Sequence, residues 1–138
     1  MDVLYTATAH ATGDGRNGHA TSDDGILDLD LRIPKAMGGP GGATNPEQLF
    51  AAGYAACFHS ALKVVAGRQK ANVDGSEVSA SVGIGPNDSG GFGLQVELDV
   101  SIPNLDRDAA LALVEQAHQV CPYSNATRGN IEVTLTVV

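Results

Sequence analysis

The sequence contains no tryptophan, only two cysteines and few basic residues for its length of 138 residues. Eight Lys and Arg stand against sixteen Asp and Glu, and the formal net charge is -8. An acidic chain without basic clusters argues against nucleic acid and anionic membrane surfaces as partners. The N-terminus has no basic segment followed by an apolar stretch, and no apolar run approaches the ~20 residues that cross a bilayer. We therefore expect a cytoplasmic protein.

The scarcity of cysteine also limits the metal and redox chemistry of the chain. Cys57 lies in the apolar run AAGYAACFHSAL, and Cys121 lies in HQVCPYSNATRGN. The two cysteines do not form a CxxC pair, and no second pair or histidine ladder completes a zinc site, so we predict no bound metal. Permanent disulfides are rare in a reducing compartment, so a bond between these thiols would be transient and catalytic.

Alternation of apolar and polar residues predicts most of the strands. In residues 26–33 (ILDLDLRI) four apolar residues fall on one face, which indicates a half-buried strand. They are Leu27, Leu29, Leu31 and Ile33. Residues 92–102 (FGLQVELDVSI) alternate in the same way, with Phe92 among the side chains expected to face inward. The other predicted strands cover residues 3–8, 73–84 and 131–138, and the glycine-rich segments GDGRNGH and GPNDSGG are predicted loops.

Two helices are predicted. The longer one begins with Asn45 as its N-cap and Pro46 in its first position, or alternatively with Thr44 and Glu47 in a capping box, and it ends near residue 66. Because residues 49–62 carry no charge, this helix should be buried on most sides, by sheet or by a second copy of the chain. The second helix covers residues 106–120, with Asn104 or Asp106 as its N-cap. Its apolar side is formed by residues at helical spacing, namely Ala110, Leu113, Val114 and Ala117.

The order of these elements predicts the fold class. Strands joined by hairpins, with helices kept apart from them in sequence, are typical of α+β proteins. We found no linker, repeat or low-complexity segment. The prediction is therefore one α+β domain over residues 1–138, with antiparallel sheets wrapped around a long central helix.

Each thiol has a structural and a chemical interpretation. Cys57 can be a small hydrophobic residue of the core. As a reactive thiolate it would need a nearby cation, because the middle of a helix lacks the N-terminal dipole that lowers a thiol pKa. Cys121 ends a helix, where the dipole disfavours an anion, so it suits a thiol that resolves rather than attacks first. Its structural alternative is a small residue that closes the helix end.

Two charged residues are candidates for activating a thiol. Arg16 stands in the glycine-rich loop, which could deliver a guanidinium to a site, and Glu47 could hold that arginine in a bidentate pair. Both can equally be ordinary charges, one solvated in a loop and one at a helix start. Glu47 precedes Cys57 by ten residues, or about 15 Å along a helix. The pair would therefore reach Cys57 more easily from a second subunit.

NPEQLFAAGYAACFHSAL and CPYSNATRGN resemble the two motifs of the organic hydroperoxide resistance proteins within the OsmC family, and the similarity covers essentially the whole chain. The resemblance implies a thiol-dependent peroxidase. In that assignment Cys57 is the peroxidatic cysteine and Cys121 the resolving one. Arg16 and Glu47 match the arginine and glutamate that form an ion pair beside the reactive thiolate.

The resemblance also implies partners. Members of the family are intertwined homodimers with active sites at the subunit interface, and they bind no cofactor. Their external reductant is the dihydrolipoyl group of lipoylated proteins, and their substrates are organic hydroperoxides, including those of fatty acids. Near the site Phe50, Tyr54 and Phe58 could favour alkyl or acyl peroxides, although core packing explains each of them equally well.

Three alternatives remain open at the level of sequence. A thioesterase-like protein would also place a long apolar helix against antiparallel sheet, and its activity would survive loss of both thiols. A redox-sensing or structural stress protein would oxidise Cys57 without turnover. Within the same family, the OsmC branch proper would have a different peroxide preference.

Overall fold

The computed structural model describes residues 1–138 and has mixed α+β architecture, as predicted. The chain divides into two compact units, an N-terminal unit of residues 1–49 and a C-terminal unit of residues 50–138. Each contains one three-stranded sheet.

The N-terminal unit is built on an antiparallel sheet of order β1-β2-β3. Its strands are β1 (Ala9–Thr12), β2 (His19–Ser22) and β3 (Asp28–Asp30). A turn of 3-10 helix, Gly15–Asn17, lies between β1 and β2. The strand predicted at residues 3–8 is wrong, since that segment has no regular structure and the first strand begins at Ala9.

The strand predicted over residues 26–33 is shorter than its sequence pattern. Only Asp28–Asp30 pairs with β2, and Leu31 continues as an isolated bridge to Thr44. Leu27 is 47% exposed, whereas Leu31 is 6% exposed. The alternation therefore identifies the correct face, but in the single chain only the end nearest Leu31 is buried.

Helix α1 (Pro46–Gln69) begins at the predicted N-cap. The Asn45 Oδ1 accepts a hydrogen bond from the backbone N–H of Gln48 at 2.9 Å, so Asn45 is the cap and the alternative box with Thr44 is not formed. The helix continues three residues beyond its predicted end. Lys70 takes a left-handed φ of 55°, and the N–H of Ala71 donates to the Ala66 carbonyl at 2.9 Å, which is a Schellman ending.

One face of α1 is buried and the other is exposed in the single chain. The single chain does not bury the helix on most sides, because Ser60 is exposed and Val64 is 50% exposed. Burial of this face by a second copy of the chain stays a prediction. By length and composition α1 is apolar enough to cross a membrane, although core helices of soluble proteins meet the same criterion. The residues of its buried face are Tyr54, Phe58, Ala61, Leu62, Val65 and Ala66.

The C-terminal unit contains a mixed sheet of order β4-β5-β6. Strands β4 (Glu77–Pro86) and β5 (Phe92–Ser101) form an antiparallel hairpin, but β6 (Glu132–Val137) pairs parallel to β5. The prediction of purely antiparallel sheets is thus wrong at β6. Because the helices between β5 and β6 carry the chain back to the edge of the sheet where β5 begins, β6 runs parallel to β5.

Helix α2 (Arg107–Val120) and a short helix α3 (Pro122–Thr127) form that crossover. Asp106 caps α2 by accepting a hydrogen bond from the Ala109 N–H at 2.8 Å. The apolar side of α2 packs with α1 and the inner face of β5 in one core, which includes Leu98, Val100 and Val114, each fully buried. Phe92 was expected to face inward, but it is 74% exposed at the hairpin end of β5.

Candidate redox site

The C-terminal unit brings the two cysteines together. Cys57 comes from the middle of α1 and Cys121 from the junction of α2 and α3. Their sulfurs are 3.6 Å apart, and both thiols are free. Cys121 is fully buried, whereas Cys57 is half-buried. A disulfide needs a sulfur separation of about 2.05 Å, so a short closing movement would join them. The residues that were 64 positions apart in sequence therefore form one dithiol site.

Cys121 lies at the junction of two helices. Residues after Cys121 form α3, so Cys121 is both the C-cap of α2 and the N-cap of α3. Its N–H donates to the Ala117 carbonyl and its carbonyl accepts from Asn125, both at 2.9 Å. Pro122 stands in the first position of α3, a common helix start that the sequence interpretation overlooked.

Burial controls the charge of Cys57 within this unit. Loss of solvent raises the pKa of the Cys57 thiol above its ordinary value, and the neighbouring Cys121 also raises it. A hydrogen bond from the backbone of Tyr123 opposes this shift, because an N–H donor favours the thiolate. A reactive thiolate at neutral pH consequently requires a further source of positive charge.

The N-terminal unit contains an ion pair between Arg16 and Glu47. The guanidinium binds the carboxylate through two contacts, Nη1 to Oε2 at 2.9 Å and Nη2 to Oε1 at 2.8 Å. This fork geometry fixes the orientation of both side chains. The Arg16 hydrogen bond lowers the pKa of Glu47, and Glu47 in turn raises the pKa of Arg16.

Hydrogen bonds within the N-terminal unit hold the loop that carries Arg16. Arg32 donates from Nη1 to the carbonyls of Asn17 and Gly18, each at 3.2 Å. The Asn17 Oδ1 accepts a hydrogen bond from the N–H of Ile33 at 2.9 Å. Arg32 and Asn17 were not identified from sequence, because their bonds join segments that alternation alone does not bring together.

The three predicted pocket residues differ in accessibility. Tyr54 and Phe58 are fully buried, which places both in the core of the single chain. Phe50 is only partly buried and belongs to an aromatic group with Tyr54 and Tyr123. The ring centroids of Tyr54 and Tyr123 are 5.6 Å apart. Phe50 and Tyr123 are thus the aromatic side chains of this group that retain exposed surface.

Gly53 allows the Tyr123 ring to lie against α1. A Cβ atom at Gly53 would stand 2.8 Å from the Tyr123 hydroxyl oxygen and 3.2 Å from its Cε2. Gly53 is one helical turn before Cys57, so the close approach brings the start of α3 next to the Cys57 sulfur. The contact explains why this helix contains a glycine, a residue that costs about 1 kcal/mol relative to alanine within a helix.

No group of three or more His, Cys, Asp and Glu side chains is arranged to hold a metal ion. His59, which neighbours the first motif in sequence, is bonded through Nε2 to the Ser76 hydroxyl at 2.9 Å. The bond gives His59 a structural partner.

Comparison with known proteins identifies the family. The sequence model of the OsmC-like protein family matches residues 39–136 of this chain. An organic hydroperoxide resistance protein from Xanthomonas axonopodis pv. citri is 58% identical, over 98% of this chain and 95% of that protein. The chain belongs to the organic hydroperoxide resistance branch of the OsmC family. OhrB of Bacillus subtilis is 52% identical, over 96% of this chain and 97% of that protein.

Solved structures of this branch share the fold. An organic hydroperoxide resistance protein from Elizabethkingia anophelis has a TM-score of 0.95 and 56% identity, and the match covers 99% of this chain and 98% of that one. A protein of the same description from Vibrio cholerae has captopril bound in one of its active sites. Its TM-score is 0.93 at 52% identity, with 99% of this chain and 94% of that one covered. Membership in this branch implies a role in peroxide detoxification.

Proposed function

We propose that this chain is a peroxidase that reduces organic hydroperoxides with its two thiols. The observation that carries the proposal is the 3.6 Å separation of the Cys57 and Cys121 sulfurs, both free. The names of its relatives add the substrate class, since they are called organic hydroperoxide resistance proteins.

The first step oxidises Cys57. Its thiolate attacks the distal oxygen of the hydroperoxide ROOH, the O–O bond breaks, and the alcohol ROH leaves after taking one proton. Cys57 becomes a sulfenic acid. Because burial raises the pKa of Cys57, we assign to Arg16 the task of favouring the thiolate, with Glu47 orienting its guanidinium. We also propose that Arg16 comes from the second subunit of a homodimer.

The second and third steps restore the dithiol. The Cys121 thiol condenses with the Cys57 sulfenic acid, which forms the disulfide and releases water. An external dithiol then reduces this disulfide by thiol exchange and is itself oxidised to a disulfide. We propose dihydrolipoyl groups of lipoylated proteins as this reductant. Phe50 offers the apolar surface for the alkyl or acyl part of the peroxide, because Tyr54 and Phe58 are enclosed in the core.

The test measures turnover of tert-butyl hydroperoxide with dihydrolipoamide, thioredoxin or glutathione as the reductant. We expect sustained turnover with dihydrolipoamide and at least tenfold less with the other two. Cys57→Ser should abolish turnover, and Cys121→Ser should permit one oxidation and then stall. Normal cycling by Cys57→Ser would contradict the proposal.

Parallel assays with other substrates distinguish the alternatives. Faster turnover of hydrogen peroxide than of tert-butyl hydroperoxide would favour the OsmC branch proper. Oxidation of Cys57 without recycling by any reductant would favour a sensor or stress protein. Hydrolysis of acyl thioesters that survives loss of both thiols would favour a thioesterase.

A further inference from the structure

Two fully buried hydroxyl groups connect α1 to α3. The Tyr54 hydroxyl lies 2.8 Å from the Ser124 Oγ, and neither side chain is exposed to solvent. Thr127 provides a second partner for Tyr54 at 3.2 Å. A buried hydroxyl that loses its partner costs free energy, so these bonds resist separation of the two helices.

Both ends of this connection lie one helical turn from a cysteine. Tyr54 is three residues before Cys57 on α1, and Ser124 is three residues after Cys121 on α3. Residues three apart lie on the same side of a helix. The hydroxyl contact therefore runs beside the sulfur contact and joins the same two segments of the chain.

His118 extends the connection to α2. Its Nδ1 lies 2.8 Å from the Ser124 Oγ, and burial lowers the pKa of the imidazole, as does nearby Arg128. In the neutral tautomer with a free Nδ1 lone pair, Ser124 donates to His118 and accepts from the Tyr54 hydroxyl; in the other tautomer both directions reverse. Because His118 precedes Cys121 by three residues, the bond closes the bend between α2 and α3 around Cys121.

We propose that the chain of hydrogen bonds Tyr54–Ser124–His118 is a positioning device for the resolving cysteine. It holds the Cys121 sulfur beside Cys57 and so decides how fast a sulfenic acid on Cys57 is captured. This inference rests on the proposed function. The captured sulfenic acid gives a disulfide and water. An uncaptured one reacts with a second ROOH to give a sulfinic acid and ROH, a product that dihydrolipoyl groups do not reverse.

Two variants remove single hydroxyls from the connection. Tyr54→Phe and Ser124→Ala each leave the remaining side chains in place, and both cysteines are retained. Ser76→Ala is the matched control, since Ser76 is also a buried serine bonded to a histidine of the same unit, His59 at 2.9 Å. Thermal unfolding of all variants shows whether each one is folded before its chemistry is compared.

The first measurement needs no peroxide. The protein is equilibrated with mixtures of reduced and oxidised dithiothreitol, and the fraction with the Cys57–Cys121 disulfide gives the effective concentration of one thiol at the other. We expect this concentration to fall about three- to tenfold in Tyr54→Phe and Ser124→Ala, the range of one hydrogen bond. We expect Ser76→Ala to keep the wild-type value.

The second measurement follows the fate of Cys57 after one equivalent of tert-butyl hydroperoxide, and then after excess. Dimedone labelling should trap more sulfenic acid in the two variants, and mass spectrometry should find sulfinic acid at lower peroxide concentrations than in the wild type. The inference would be overturned if folded Ser124→Ala kept the wild-type effective concentration and the wild-type ratio of disulfide to sulfinic acid. It would also be overturned if Ser76→Ala lost as much effective concentration as the two variants.

The two measurements separate this inference from the proposed function. If the wild type never forms a sulfenic acid with organic hydroperoxides, the peroxidase proposal fails. The dithiothreitol equilibrium still reports whether the hydrogen bonds position Cys121, because it depends only on the two thiols. The double variant Tyr54→Phe/Ser124→Ala should lose less than the two single losses combined, because the Tyr54–Ser124 contact is removed in both single variants. The Thr127 contact is lost only with Tyr54, and the His118 contact only with Ser124.

Discussion

At the scale of single residues, one neighbour of Cys57 is its partner for a disulfide, and other parts of its surroundings determine the charge of its sulfur. Cys121 provides the partner at 3.6 Å. The charge is opposed by burial, which raises the pKa of Cys57 and is only partly offset by the backbone of Tyr123. Alternation and helix periodicity located both cysteines on elements, but burial and a backbone donor are properties of the folded chain and could not be obtained from those patterns.

The role assigned to Arg16 predicts the behaviour of Arg16→Ala. Removal of the guanidinium should raise the pKa of Cys57, because only the backbone hydrogen bond from Tyr123 then offsets its burial. The thiolate fraction at pH 7, and the rate of the first oxidation, should fall about tenfold for each unit by which the pKa rises. Thiolate absorbance at 240 nm against pH measures the shift. Arg68→Ala, which removes a charge from the last turn of α1, is the control. An unchanged titration in Arg16→Ala would refute the assignment.

Two glycines of α1 predict opposite responses to alanine. At Gly67 an added Cβ meets nothing within 4 Å, so Gly67→Ala should stabilise the protein by up to about 1 kcal/mol, a rise of a few °C in Tm. At Gly53 the same Cβ meets the Tyr123 ring, so Gly53→Ala should lose that gain and displace the ring. Circular dichroism melts give the comparison. The interpretation of Gly53 fails if both variants gain the same Tm.

At the scale of elements, helix termini were predicted well where a side-chain cap marks them. Asn45 and Asp106 were each one of two expected N-caps, and both accept the bonds that define one. The C-terminal end of α1 was placed too early because Gly67 looked like the usual left-handed residue, a role that Lys70 takes. Helix α3 was missed because its six residues are too few for a periodic pattern.

The ion pair that joins the 3-10 turn Gly15–Asn17 to the start of α1 predicts a pH dependence. The pKa of Glu47 is lowered in the folded state, so its contribution is present above its unfolded pKa near 4.5 and is lost as the pH falls through the folded value. Glu47→Gln should therefore destabilise the protein at pH 7 by about 0.2–1 kcal/mol, since Arg16 is substantially exposed, and by almost nothing in strong acid.

Urea denaturation of both proteins between pH 7 and pH 3 measures this difference. The control is Glu77→Gln, which removes an exposed carboxylate of β4 that forms no ion pair. Its free energy of unfolding should differ from that of the wild type by the same amount at every pH. If the free energy of unfolding of Glu47→Gln differs from that of the wild type by the same amount at every pH in this range, the ion pair contributes nothing through its charge.

At the scale of the whole molecule, much apolar surface is uncovered in the single chain. The N-terminal segment leaves Val3 65% exposed, Leu4 98% and Tyr5 78%. One face of α1 is exposed as well, including Val64. Large exposed apolar side chains that cluster along a segment are typical of interaction sites. Homodimerisation remains a prediction for this chain, and the exposed segment is where it can be tested.

Sedimentation equilibrium should give twice the mass of the 14.1 kDa chain at micromolar concentrations. Leu4→Asp places a charge in the exposed apolar segment and should weaken the dimer at least tenfold, because a charged group buried in an apolar interface loses its hydration. Ser89→Asp adds the same charge to the exposed loop after β4 and should leave the mass unchanged. A monomeric wild type would rule out a site shared between subunits.

The sequence by itself determined the α+β class, the two N-caps, the apolar side of α2 and the two cysteine motifs, because each depends on neighbours within a few turns of the chain. Only the tertiary structure decided that β6 runs parallel to β5, that Tyr54 and Phe58 belong to the core, and that two sulfurs 64 residues apart are in contact. These features depend on how distant segments pack, and residue spacing along a chain does not specify the distance between elements in space.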